Sequence, residues 1–400
     1  MDTKSSQRRY DLDWLRVSVI FAIFALHHAA RFFDTDDWFI KNATTYLSMQ
    51  VWLEFCTSWG MPLILIISGA SAFLALDKYR PGKYAGGLVL RLFIPLIVGM
   101  FTHVALHIYL WNLHTGRFSG SFFAFYPHYF EGMYGFGGNF AWMGSHLWYL
   151  ELLFILSLFF LPFFTWLKRT SIGQRVLRGM GDLLANPFAV LLLALPAILL
   201  ILNLDEAGPG NTSLGGWSLF IYPLFYIAGF VILSNERLQR HIMRMRWIHL
   251  GMGVVFSIAY LFVEFQTILP SLFPVADPLG KVLDCFVVWS WLLAVMGFGM
   301  KRLNFTNPVL KYANEAALPF YILHQTVVVV LGFFVVEWAI PDLLKYAIIL
   351  VGSFAAIMGL YEFGVRRFNP MRFLFGMKLL AKPVDLRTKE TQLREVARTS

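Results

Sequence analysis

From Leu12 to Phe33 the chain reads LDWLRVSVIFAIFALHHAARFF, an apolar stretch with Arg16 near its start and His27 and His28 deep inside it. Roughly twenty apolar residues cross the hydrocarbon core of a bilayer, so this segment reads as a membrane-spanning helix. Ionisable groups are costly in that setting. They turn inward to a bundle or wet cavity, which makes them candidates for a functional site. At about 100° per residue, the steps from Arg16 to His27 come within ~20° of a whole number of turns and rise ~16 Å. Arg16 and His27 therefore share a face, and His28 points about a third of a turn away. The ordinary alternatives are that Arg16 snorkels to lipid headgroups and that His27 is a core histidine bonded to a carbonyl.

The same pattern recurs along the chain. With 58% hydrophobic and 14% charged residues over 400, no single soluble core accounts for the apolar content, whereas a polytopic membrane protein does. Hydropathy marks about ten spans, near 12–33, 51–76, 88–111, 147–167, 188–203, 217–233, 247–267, 280–300, 315–338 and 345–365. If the N-terminus is cytoplasmic, the segments on that side hold 26 of the 33 lysines and arginines, and the opposite loops hold only Lys41 and Arg117. Asp34, Asp36, Asp37, Glu131, Asp205, Glu206, Asp277 and Asp342 lie on the outer side. That asymmetry follows the positive-inside rule, and it accounts for the net charge of +9 without any nucleic-acid partner. The expected fold is all-α, a polytopic membrane helix bundle of about ten transmembrane helices with both termini cytoplasmic. Residues 1–380 form one domain, and 381–400 form a cytoplasmic tail with the composition of a disordered segment. The first apolar stretch is too long for a signal peptide and lacks a small-residue cleavage site after it, so it is expected to be retained. Two cysteines, Cys56 and Cys285, offer neither a disulfide framework nor a cysteine-rich metal site.

Other polar groups fall within or beside the spans. In LVLRLFIPLIVGMFTHVALHIYLW, Pro95 removes the N–H that would bond the carbonyl of Arg91, and so can kink the helix there. Arg91 offers a fixed fork of donors for phosphate or carboxylate, or else snorkels at the cytoplasmic end. His103 and His107 lie four apart on one face, a zinc-compatible spacing, but the HEXXH carboxylate is missing and no metal is expected. SHLWYLELLF opens the fourth span with His146, Trp148 and Glu151. In the ninth span His324 stands nine residues past Glu315, half a turn off, so the two need not meet. Between Asn112 and Ser145 lie many aromatic residues, suited either to stacking on sugar rings or to the interfacial aromatic belt.

Taken in order, these residues resemble a family. LDWLR, then ten residues from Val17, then His27, resembles the opening motif of the acyltransferase-3 membrane family, in which an arginine and a histidine stand at that spacing on the first span. MPLILIISG at 61–69, RLFIP at 91–95, SHLWYL at 145–150 and FYILH at 320–324 resemble its later motifs. LYEFGVRRFNPMRFLFGMK is similar to a glucan-modifying branch. Val17 stands where glycine is common and Thr326 where proline often follows the later histidine. The resemblance implies a multi-pass protein of the bacterial inner membrane. It implies transfer of an acyl group, acetyl or succinyl, from a cytoplasmic acyl-CoA to a hydroxyl of an extracytoplasmic carbohydrate such as a periplasmic glucan. Neutral imidazole titrates near the working pH, which suits His27 as general base or, alternatively, as a transient acyl carrier. Arg16 and Arg91 would bind the donor's phosphates or a succinyl carboxylate, while His146, Trp148 and His324 would contact substrate. Partners are then acyl-CoA, the hydroxyl acceptor and membrane lipid, with no resident cofactor and no nucleic acid. The rival reading is a secondary transporter or flippase, because buried arginines and histidines also line transport paths; no inverted repeat is evident in the hydropathy.

Overall fold

A computed structural model describes residues 8–29, 39–186, 189–203, 220–267 and 276–380. The tail at 381–400 lies outside the described residues. The helices in chain order are α1 (Tyr10–Ala29), α2 (Leu47–Lys78), α3 (Pro81–Leu88), α4 (Ile94–Phe101), α5 (His103–His114), α6 (Phe122–His128), α7 (Trp148–Phe159), α8 (Leu161–Arg169), α9 (Ser171–Leu184), α10 (Ala194–Asn203), α11 (Ile221–Ser234), α12 (Glu236–Arg244), α13 (Arg246–Thr267), α14 (Ala276–Arg302), α15 (Pro308–Val335), α16 (Asp342–Gly359) and α17 (Asn369–Leu374). Among the described residues the one β interaction is an isolated bridge between Met133 and Phe140.

Every stretch that hydropathy marks contains helix, as it must where no water is present to satisfy the backbone. Six helical segments are long and apolar enough to cross a membrane: Ser58–Lys78, Pro81–His114, Arg246–Val263, Pro278–Arg302, Pro308–Val335 and Asp342–Val365. The pair α7–α8 makes a seventh if its 47° bend is taken within one span. The bend falls where Pro162 opens α8 without an N–H to give. Leu191–Asn203 and Ile221–Ser234 are shorter apolar helices. Pro95 acts as expected. The preceding turn, Val89–Phe93, opens into a π-turn in which the Ile94 N–H reaches back to Val89 O.

α2 and α11 cross with their backbones nearly touching. A methyl group added to Gly69 would run into the Tyr226 carbonyl, and one added to Gly229 would run into the Ile66 carbonyl. Without a hydrophobic force between helices in lipid, such small residues let close packing hold the pair. Gly229→Ala is expected to cost about 1–3 kcal/mol by overpacking. Thermal unfolding in detergent reads this directly, and an unchanged Tm would mean that the helices do not meet there.

The C-terminal motif is a structural clasp. Arg372, nearly buried, donates to Glu315 Oε1 on α15 at 3.0 Å, to Arg366 O at 2.9 Å and to Lys378 O at 2.6 Å. Arg366 pairs with Glu362 at 2.9 Å, and that hydrogen-bonded carboxylate raises the guanidinium pKa above its ordinary value. Gly376, at φ +66°, sits so close to the backbone of Arg91 and to Pro95 that a side chain would collide with both. The clasp therefore ties the end of the bundle to the base of the third span. The aromatic segment after α5 is likewise folded upon itself. Tyr129 is buried and donates to Met100 O at 2.9 Å, while Phe123 and Phe136 remain exposed.

Candidate active site

Four histidines from three parts of the chain meet in the bundle. α5 contributes His103 and His107 from one face, the turn Ser145–Leu147 contributes His146, and α15 contributes His324. His146 is central, with ring centroids 5.9 Å from His103, 5.8 Å from His107 and 5.2 Å from His324. His107, His146 and His324 are all buried. Burial makes each ring nitrogen a group that needs a partner.

The partners set the tautomers. His103 Nε2 and His146 Nε2 lie 3.0 and 2.9 Å from the Ile322 carbonyl oxygen. A carbonyl only accepts, so both rings carry the proton on Nε2 and present Nδ1 as a bare acceptor. The Nδ1 of His146 is buried without a partner. His324 donates from Nδ1 to Tyr321 O at 2.5 Å. Among the described residues no three histidine, cysteine or acidic side chains are disposed to hold a metal ion.

Hydroxyls extend the cluster toward Arg16. Tyr321 donates to the His146 carbonyl, and its ring lies 6.0 Å from that of Tyr149. The Tyr149 hydroxyl is 2.6 Å from Ser68 Oγ on α2. One turn along α2, Ser71 Oγ accepts from Arg16 at 2.8 Å, and Arg16 also contacts Asp13 at 3.3 Å and Asn314 at 3.5 Å. Arg16 is thus turned into the bundle between α1, α2 and α15 rather than out to lipid. Asp13 is shared with Arg8, at 2.9 Å.

The remaining candidates lie apart. Arg91 is exposed on the π-turn beside the clasp. Trp148 stacks on Tyr222 of α11 with centroids 5.8 Å apart and is not among the imidazole contacts. The α1 backbone extends to Ala29, but the side chains of His27 and His28 lie outside the described residues. Glu315 pairs with Arg372, and nine residues of helix, about 13 Å of rise, separate it from His324. A separate apolar cavity of about 560 Å³ between α1, α15 and α16 is lined by Trp14, Phe21, Phe320 and Phe354 among others, and by none of the histidines.

A family model described as an acyltransferase domain matches residues 9–362, which covers nearly the whole chain and every element of this site. The chain belongs to the acyltransferase-3 family. This acyltransferase is 22% identical over 399 residues to proteins named glucans biosynthesis protein C from Salmonella paratyphi B, Salmonella dublin and Salmonella enteritidis PT4. Each alignment covers 94% of this chain and 97% of the relative. No solved structure matches it significantly. It is a multi-pass membrane acyltransferase related to those proteins.

Several groups of the candidate site escaped sequence reasoning: Ser145, Tyr149, Tyr321, Thr326 and the placement of His103 and His107. Ser145 and Tyr149 lie inside SHLWYL and Tyr321 inside FYILH, so the motifs contained them. Only the rotation of each helix about its axis tells which residue of a motif faces the cluster.

Proposed function

We propose that the protein takes an acyl group, acetyl or succinyl, from a cytoplasmic acyl-CoA and transfers it to a hydroxyl of an extracytoplasmic carbohydrate such as a glucan. In this reading the chain makes about ten spans in a bacterial inner membrane with both termini cytoplasmic, as the loop charges favour. The observation that carries the proposal is the convergence of buried imidazoles and hydroxyls at one level of the bundle, joined along α1, α2 and α15 to an inward-facing arginine at another.

The packing register supports a place for His27 in this arrangement. α1 and α15 run parallel, since Arg16 contacts Asn314 and Phe24 packs edge to face on Phe320, with centroids 5.0 Å apart. One turn further, about 5 Å along each axis, position 27 comes level with His324. His27 is assigned as the base that takes the acceptor's proton. A hydroxyl is a poor nucleophile until that proton is removed. His146 and His324 orient the acceptor, and Trp148 lines its approach.

At the other level Arg16 and Arg91 engage the donor. The Asp13 contact of Arg16 is its exchangeable one, open to replacement by a phosphate or an acyl carboxylate. Arg91, exposed on its π-turn, meets the nucleotide phosphates. Arg91→Ala is expected to raise the KM for acyl-CoA roughly tenfold, the loss of about 1.4 kcal/mol, with kcat little changed, and lysine is a poor substitute at a bidentate contact. Release of free CoA by purified protein in detergent, with acetyl- or succinyl-CoA and a glucan, measures this and tests the donor assignment. Chemistry needs no sealed compartment. Absence of CoA release with both donors, together with substrate uptake in proteoliposomes, would favour the transport reading.

A further inference from the structure

Ser145 is the one residue other than glycine with positive φ, +51°, among the described residues. It follows Gly144, also left-handed at φ +69°, in the turn that opens α7. An ordinary L-residue is strained there, and such strain persists only where the surroundings enforce it. A glycine would adopt this conformation without strain. What serine adds is a hydroxyl, and that hydroxyl is aimed at an imidazole.

The direction of the hydrogen bonds can be worked out from the far end. Thr326 Oγ1 donates to the His103 carbonyl at 3.2 Å, so its hydroxyl proton is committed. Toward His107 Nδ1, at 3.5 Å, Thr326 Oγ1 is then the acceptor, and His107 carries its proton on Nδ1. The other nitrogen, Nε2, is left with a lone pair 3.0 Å from Ser145 Oγ. Ser145 therefore donates to His107. A hydroxyl, a neutral imidazole as base and a third group that fixes the base's tautomer are the parts of an activated nucleophile. His107 is wholly buried, whereas Ser145 keeps some exposure.

We propose that Ser145 is a nucleophile that carries the acyl group between donor and acceptor, with His107 as its base and Thr326 as a positioning residue. This rests on the donor assignment above. In the first half-reaction Ser145 Oγ attacks the thioester carbonyl carbon and its proton passes to His107 Nε2. The carbon–sulfur bond breaks, and the sulfur leaves as the CoA thiol with that proton. An ester remains on Ser145. In the second half the acceptor oxygen attacks the ester carbonyl carbon and the carbon–Oγ bond breaks. The proton that His27 takes from the acceptor is returned to Oγ, so the serine and both imidazoles end as they began.

The test mixes purified protein in detergent with acetyl- or succinyl-CoA, without acceptor, followed by acid quenching, intact-mass measurement and peptide mapping. The expected result is a burst of CoA no greater than one per chain, with one acyl group mapped to Ser145. His27→Ala should retain the burst and lose turnover with acceptor. Ser145→Gly should lose the burst and at least ~10³-fold of turnover, while its Tm moves by only a few degrees, because relief of the left-handed strain offsets the hydrogen bond that buried His107 Nε2 loses. That contrast separates chemistry from folding. Near-normal turnover in Ser145→Gly, or the acyl group mapped to another residue, overturns the relay alone. No CoA release by the wild-type protein, even with acceptor present, overturns the donor assignment and the relay with it.

Discussion

His27→Ala is expected to lower turnover by about 10²- to 10⁴-fold, the range attributed to a positioned general base, while donor binding and the folded state remain largely intact. The effect should fall on kcat, because the imidazole acts on the proton in flight rather than on the bound ground state. His28→Ala, about 100° around the helix, should cost much less. Arg16 provides the internal reference for this assignment. It lies on the same helical face as position 27 and is turned inward to Ser71 and Asn314, so that face of α1 looks into the bundle. Expression and monodispersity of both variants are checked first, since either substitution can also act through stability. Near-normal turnover in His27→Ala with loss of activity in His28→Ala would assign the chemistry to the other imidazole.

His146→Gln is expected to raise the KM for the acceptor about tenfold or more while the Tm changes by only a few degrees. The glutamine amide reproduces the donor that His146 Nε2 gives to Ile322 O at 2.9 Å, but it removes the bare Nδ1 acceptor. The loss is one hydrogen bond to an incoming hydroxyl, about 1–1.5 kcal/mol or a little more when the site stays dry. His146→Ala removes both nitrogens and the packing between the rings of His103, His107 and His324, and should cost a further 2–4 kcal/mol or so of stability. Acceptor kinetics and thermal unfolding on the two variants separate binding from packing. Equal KM in wild type and His146→Gln would show that Nδ1 receives no substrate hydroxyl.

The parts of the structure legible in advance are those governed by local rules. Twenty apolar residues must be helical in a bilayer, and Pro95 had to disturb the bond to Arg91. The half-turn between Glu315 and His324 likewise keeps them apart. The imidazole cluster is different in kind. His107 and Ser145 are 38 positions apart, and His103 reaches a carbonyl 219 positions away, so no periodicity announces their meeting. Helix phase is the second obstacle. One residue is a rotation of about 100°, and at the start of α7 that step decides that Tyr149 faces Tyr321 and Ser68 while Trp148 faces Tyr222. Backbone strain is the third, because nothing in the letter S at 145 betrays a positive φ.

Transfer of isotopically labelled acyl group from acyl-CoA to a purified glucan, followed by mass spectrometry of the glucan, is the most direct measurement. Labelled ester should appear on glucan hydroxyls in proportion to the free CoA released, and both should fall together in His27→Ala. Release of CoA with no label on the glucan, or label transfer undiminished in His27→Ala, would contradict the assignment of acceptor or of base respectively.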